Sequence, residues 1–164
     1  MSDILIVYYS RTGKTRMVAE KLASLLEADI EEIREAKGRT GRMGWVGGVK
    51  DSLLDKPAEI TSEHSVEPRK VIVIGMPIWA EAPPPAVRAF LSKYDLSGKK
   101  VFALATSDGS GGKRTFAKTA EFISGGLVST MLLKKPRPDD PVLDEQLRRW
   151  SEEIKQSQDE PTGP

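Results

Sequence analysis

The sequence contains no cysteine and only one histidine among its 164 residues. Disulfide bonds, thiolate metal sites and cysteine nucleophiles are therefore excluded, and one histidine cannot build a histidine-rich metal site. That histidine, His64, lies in the polar stretch 61–69, and we expect it to be a solvated loop residue.

The sequence has no excess of charge of one sign, because it contains 25 basic and 24 acidic residues and its net charge is +1. A protein without a global basic field is not expected to bind nucleic acid. Long hydrophobic runs are also missing, so we expect no membrane insertion. A strand-like run begins at Ile4 with no signal peptide before it, which favours a cytoplasmic protein.

Five short segments have the character of strands, at residues 4–9, 28–33, 71–75, 101–105 and 127–133. The segments 4–9, 71–75 and 101–105 are almost continuously apolar, as is usual for strands covered on both faces. The segment 28–33 is more charged, which suits an edge strand.

Apolar residues at helical spacing follow these strands, which indicates alternating strands and helices. We therefore predict an α/β fold with a doubly wound, five-stranded parallel sheet in the order 2-1-3-4-5 and helices on both faces. The helical faces are Val18, Leu22 and Leu25; Val87, Phe90, Leu91 and Tyr94; Phe116, Ala120 and Ile123; and Leu143, Leu147, Trp150 and Ile154.

The length predicts a single domain, over residues 1–155. Residues 156–164 are polar and contain proline, and we expect a disordered tail there. Residues 38–54 carry five glycines and Trp45 and depart from the regular pattern; residues 49–54 could hold a short helix, and the glycines weaken the earlier part. Two roles stay open for Trp45, as a cover of the core or as the lid of a substrate pocket.

The turn after the first strand has the chemistry of a phosphate site. Ser10, Thr12 and Thr15 offer hydroxyl groups, and Gly13 lets a ligand approach the backbone closely. A helix that begins here presents unpaired N–H groups and a partial positive charge, both of which attract a phosphate.

Two known kinds of phosphate-binding loop have sequence patterns that resemble this turn. A nucleoside-triphosphate loop needs Gly-x-x-x-x-Gly-Lys-Ser/Thr, but Tyr8 stands at its first glycine. Moreover, the apolar strand 71–74 runs into Gly75 instead of an Asp that could hold Mg²⁺, so a phosphotransferase is the weaker alternative. The flavodoxin-like turn reads Ser/Thr-x-Thr-Gly-x-Thr, and residues 10–15 fit it at every fixed position.

Two further loops are expected at the same edge of the sheet, where ligands bind beyond the carboxyl ends of parallel strands. Residues 76–83 follow the third strand and contain Trp79, an aromatic side chain that could stack on a flat ring. Residues 106–112 follow the fourth strand and supply small residues whose N–H groups could pair with the polar edge of such a ring.

With these three loops, the chain resembles the short-chain flavodoxin-like FMN-binding proteins over about residues 3–154. The resemblance implies FMN as the cofactor and a redox function in which the flavin does the chemistry, so no catalytic side chain and no metal are expected. The residues that it implies around FMN are Ser10, Arg11, Thr12, Gly13, Lys14, Thr15, Pro77, Ile78, Trp79, Ala80, Thr106, Ser107, Asp108, Gly109 and Gly112.

The resemblance leaves several functions open. The protein could carry electrons to a redox partner protein, or it could be an NAD(P)H-dependent FMN quinone reductase that reduces a small acceptor. A flavin-free binding module on the same fold is a third alternative. Electron carriers of this family are usually strongly acidic, whereas this chain is neutral and has no tyrosine in residues 106–112, which favours the reductase. Basic residues lie in or near the expected site loops, namely Arg11, Lys14, Arg39, Arg42, Lys50 and Lys113.

Overall fold

The computed structural model describes residues 1–36 and 58–161. Its strands are β1 (Ile4–Tyr8), β2 (Asp29–Glu32), β3 (Val71–Pro77), β4 (Lys100–Ser107) and β5 (Ser129–Lys134). The helices of the described residues are α1 (Lys14–Leu26), α2 (Pro85–Lys93), α3 (Gly112–Ala120) and α4 (Pro141–Ser157). The segment 38–54 with Trp45, its neighbours Arg39, Arg42 and Lys50, and tail residues 162–164 lie outside the described residues.

The five strands form one parallel sheet in the order β2-β1-β3-β4-β5, which confirms the predicted topology. The register aligns Tyr8 of β1 with Gly75 of β3, and Pro77 of β3 with Thr106 of β4. The carboxyl ends of the three central strands therefore meet at one edge of the sheet.

Helices cover both faces of the sheet, as the alternating pattern predicts. Successive residues of the central strands point to opposite faces, so Leu5 and Ile72 pack with α2 while Ile4 and Val71 pack with α1 and α4. Strands buried on both faces read as continuous apolar runs, which is why their positions could be recognised from the sequence.

The helices begin where local chemistry starts them. Pro85 is the first residue of α2, where a missing N–H costs nothing. The side chain of Asp140 accepts a hydrogen bond of 2.9 Å from the Val142 N–H and caps α4. This helix continues to Ser157, two residues past the predicted domain boundary, and Lys100 Nζ then donates to the carbonyl oxygen of Glu160 at 2.7 Å.

His64 is buried, so the expectation of a solvated loop residue was wrong. Only 1% of its side chain is exposed, and its ring packs edge-on against Phe90 and Tyr94. Its Nδ1 lies 2.9 Å from Glu31 Oε2 and its Nε2 lies 2.8 Å from Ser62 Oγ. His64 thus finds its polar partners inside the protein, one in its own segment and one in β2, so a polar composition does not place it in water.

In the part of the chain that the structure describes, every helix is too short or too polar to cross a bilayer.

Candidate functional site

A solvent-open crevice of about 200 Å³ lies beyond the carboxyl ends of β1, β3 and β4. Its lining residues all belong to the set that the sequence predicts: Arg11, Thr12, Lys14, Thr15, Pro77, Ile78, Trp79, Thr106, Ser107 and Asp108. The other predicted residues do not line it: Ser10, Gly13, Ala80 and Gly109 are chain neighbours of lining residues, and Gly112 lies four positions after Asp108. The fold thus brings the three predicted loops together.

The first wall of the crevice is the turn between β1 and α1. Gly13 precedes α1 with a φ of 93°, a left-handed conformation that favours glycine, and no atom lies within 4 Å of where its Cβ would stand. Ser10 Oγ accepts a hydrogen bond of 3.1 Å from the Gly13 N–H. The N–H groups of the first turn of α1 have no carbonyl partner within the helix. The turn is therefore shaped to receive an anion.

A buried hydroxyl pair fixes this turn against the neighbouring strand. Thr15 Oγ1 lies 2.8 Å from Thr106 Oγ1, and only 2% and 5% of these residues are exposed. Gly75 of β3 lies beside the pair, where an added Cβ would be tight against Tyr8 Cβ at 3.1 Å and in ordinary contact with Thr15 Cγ2 at 3.5 Å. The pair links α1 to the end of β4 through the floor of the crevice.

We expect Thr15→Val to lower the free energy of unfolding by about 1–3 kcal/mol, because it leaves the buried Thr106 hydroxyl without its partner. The double variant Thr15→Val, Thr106→Val should recover most of that loss, because both polar groups are then gone. Urea denaturation of the two single variants and the double variant measures this coupling. Additive losses would show that the hydroxyl pair does not hold the turn.

The second wall comes from the loop after β3. The positive φ angles of Ala80 and Glu81, 51° and 57°, turn the chain sharply, so that the Ala82 N–H donates to the Trp79 carbonyl at 3.0 Å. Trp79 is only 4% exposed, and its ring meets that of Tyr9 edge-on at 5.5 Å. Trp79 therefore belongs to the core as well as to the crevice wall, and its stacking on a ligand ring stays a prediction.

The third wall is the glycine-rich loop after β4. Ser107 Oγ accepts a hydrogen bond of 3.0 Å from the Gly109 N–H. Gly111 has a φ of 101° and precedes α3. Gly112 begins that helix, and a Cβ there would lie 2.7 Å from Leu132 Cδ2. The packing of α3 on β5 thus explains the glycine at position 112. The surrounding glycine-rich loop sequence does not reveal this reason.

An ion pair crosses the mouth of the crevice. Lys14 Nζ donates to Asp108 Oδ1 at 2.9 Å and joins the first loop to the third. Both side chains are well exposed, that of Lys14 by 48% and that of Asp108 by 74%. The Lys14 ammonium group holds the pKa of the Asp108 carboxyl below its usual range. The two residues are far apart in the sequence, so only the fold could reveal this contact.

We expect Lys14→Met to raise the pKa of Asp108 toward the ordinary value of an aspartate, because the largest cause of its lowering is removed. A lowered pKa in the folded protein contributes stability above the ordinary pKa, and that contribution is lost as the pH falls through the lowered pKa. The contribution is small here because the pair is exposed. NMR titration of the carboxyl carbon measures the shift.

Asp95 provides the internal control for that titration, since hydrogen bonds from Ser97 lower its pKa. Its titration should be the same in the parent protein and in Lys14→Met. An unchanged Asp108 titration in the variant would mean that the ion pair does not form in solution.

Comparisons with known proteins agree on one kind of molecule. Residues 3–153 match the family model described as flavodoxin. A candidate flavoprotein from Bacteroides eggerthii is 25% identical, with a TM-score of 0.73 over 93% of this chain and 97% of that one. A flavoprotein in complex with FMN from Lactobacillus acidophilus is 22% identical, with a TM-score of 0.70 over 90% and 97%.

A more distant structure shares the same fold. The two-electron reduced flavodoxin of Megasphaera elsdenii is 21% identical, with a TM-score of 0.51 over 91% of this chain and 98% of that one. No protein among the curated sequences matches significantly.

Proposed function

The chain belongs to the flavodoxin family, and on that premise we propose that it is an electron-transfer protein with FMN held in the crevice beyond β1, β3 and β4. The observation that carries the proposal is the phosphate-type turn at the N-terminus of α1, with Gly13 at a φ of 93°. The flavodoxin family as a whole supports FMN, as does the similarity to the FMN complex from L. acidophilus.

The residues around the crevice fit this cofactor. The Thr12 hydroxyl and the first N–H groups of α1 would hold the phosphate, at the positive end of the helix dipole. Residues 77–80 and 106–109 would flank the flavin ring. Beyond its chain neighbours, an added Cβ on Gly13 would meet no atom within 4 Å, so no packed side chain blocks the approach of a phosphate to this turn. When bound, FMN supplies one-electron and two-electron redox chemistry.

The protein contributes binding, orientation and charge. Lys14 and Asp108 connect two loops across the mouth of the crevice. The Thr15–Thr106 pair keeps the phosphate turn at a fixed distance from the loop after β4. No side chain needs to act as an acid or a base for electron transfer, so we assign no catalytic residue.

An NAD(P)H-dependent quinone reductase is the second candidate. Two cationic side chains, Arg11 and Lys14, line the crevice, and they could receive the phosphates of a nicotinamide nucleotide. Residues 106–112 contain no aromatic side chain that could cover the outer face of a ring. A small acceptor would therefore have room beside the flavin.

Anaerobic titration of the FMN-loaded protein with NADPH separates the two functions. An electron carrier should keep its oxidised flavin absorbance with NADPH and lose it with dithionite. Bleaching by NADPH, together with sustained turnover when a benzoquinone is added, would instead identify a reductase. Free FMN at the same concentration controls for reduction that does not involve the protein.

A further inference from the structure

Charge is unevenly distributed on this nearly neutral protein. Residues 10–14, 78–82 and 107–114 include residues that line the crevice, and residues 134–135 pair with Ser107 of that lining through the backbone. These segments contain six basic residues and two acidic ones, so six minus two leaves a net charge of +4, against +1 for the whole chain. The basic residues are Arg11, Lys14, Lys113, Arg114, Lys134 and Lys135, and the acidic ones are Glu81 and Asp108.

Both acidic residues are already paired. Asp108 pairs with Lys14 at 2.9 Å, and Glu81 pairs with Arg114 at 3.0 Å. Lys113, Lys134 and Lys135, which we call the lysine rim, are exposed and make no side-chain hydrogen bond or ion pair with any residue in 1–36 or 58–161. The charge of Lys135 also helps to lower the pKa of the Asp108 carboxyl, and all three ammonium groups stay accessible to an incoming partner.

Backbone contacts place the lysine rim beside the crevice. The Lys135 N–H donates to the carbonyl oxygen of Ser107 at 2.8 Å, and Lys134 is the register partner of Ser107. Gly112 packs against Leu132, which brings the start of α3, and Lys113 with it, next to the end of β5. Ser107 itself lines the crevice.

We propose that the lysine rim is the docking surface for an acidic face of a redox partner protein, which exchanges electrons with the flavin at the adjacent crevice. The proposal rests on the proposed function. None of the three lysines lines the crevice. Lys134 lines a separate groove with Asp140, which neither Lys113 nor Lys135 lines, so the three ammonium groups do not converge on one nucleotide phosphate pocket. Dispersed exposed charges suit long-range steering of a macromolecule, which weakens as salt screens them.

The first test uses the protein without FMN, so its outcome does not depend on the cofactor. The probe is a fluorescein-labelled peptide of about 20 glutamates, a mimic of an acidic protein face, and anisotropy measures its binding at low salt. The rim variant is Lys113→Gln, Lys134→Gln. Its matched control is Lys155→Glu in the last turn of α4, since both lower the net charge by two.

We expect the rim variant to bind the peptide at least about tenfold more weakly than the parent, and the control to stay within about twofold. Equal weakening in both variants would overturn the proposal, because only net charge would then matter. Displacement of the peptide by stoichiometric 2′,5′-ADP would also overturn it, since the lysines would then serve a nucleotide.

The second test uses the FMN-loaded, two-electron reduced protein. Its oxidation by two oxidants of opposite charge is compared. In one reaction two hexacyanoferrate(III) anions take one electron each and become hexacyanoferrate(II); in the other, two hexaammineruthenium(III) cations take one electron each. The rim variant should slow the reaction with the anion and accelerate that with the cation, relative to Lys155→Glu. An unchanged rate ratio contradicts the proposal, whereas failure to load FMN contradicts only the proposed function and leaves the peptide test valid.

Discussion

Thr12→Asp is expected to lower the affinity for FMN at least about 100-fold, or about 2.7 kcal/mol. Thr12 lines the crevice at the turn proposed to hold the phosphate. The carboxylate introduced at position 12 would therefore stand against the phosphate dianion. Two unit charges about 4 Å apart near a protein surface repel by about 4 kcal/mol, and solvent at this exposed position reduces that figure. Quenching of flavin fluorescence measures the affinity.

Thr12→Asn is the matched control, because it has nearly the same shape as Thr12→Asp without the charge. Its affinity should stay within about tenfold of the parent. Neither variant should lower the melting temperature of the FMN-free protein, because position 12 is exposed and an acidic group near the start of α1 favours the helix. Equal affinities of the two variants for FMN would show that the phosphate does not sit at this turn.

Trp79→Ala is expected to lower the free energy of unfolding of the FMN-free protein by about 3–5 kcal/mol. Trp79 is only 4% exposed, belongs to the core on the α2 side of the sheet, and its ring packs edge-on against Tyr9. Truncation removes that contact and most of the apolar surface that this side chain buries. Urea denaturation at one pH measures the loss.

Trp79→Phe should cost clearly less than Trp79→Ala, because a phenyl ring keeps the contact with Tyr9 and fills part of the same space. A loss below about 1 kcal/mol for Trp79→Ala would contradict the burial of this side chain. Since the measurement is made without FMN, it separates the packing role of Trp79 from its predicted stacking on the flavin.

The sheet could be predicted because its signals are local. Strands such as β1 and β3 are buried on both faces and are continuously apolar, and the spacing of residues such as Val18 and Leu22 marks the helix between strands. The order of the strands in the sheet then follows from right-handed crossovers between parallel strands. The turn at residues 10–15 also carries its whole pattern within six consecutive positions, and its binding of a phosphate stays a prediction.

Contacts between distant segments could not be predicted in the same way. The Thr15–Thr106 and Lys14–Asp108 pairs join loops that are 91 and 94 residues apart, and they depend on the register of β1, β3 and β4. Burial of His64 depends on its partner Glu31 in β2, which a polar stretch of sequence does not reveal. The sequence around Gly112 does not indicate that Leu132 packs against it.

The central claim is that the turn at residues 10–15 holds the phosphate of FMN. Parallel titrations of the purified, flavin-free protein with FMN and with riboflavin, which lacks the phosphate, test it most directly. The structure predicts that FMN binds at least about 100-fold more tightly than riboflavin, since charge-assisted hydrogen bonds to the phosphate supply several kcal/mol. Equal affinities for the two flavins, or no binding of either, would contradict the claim.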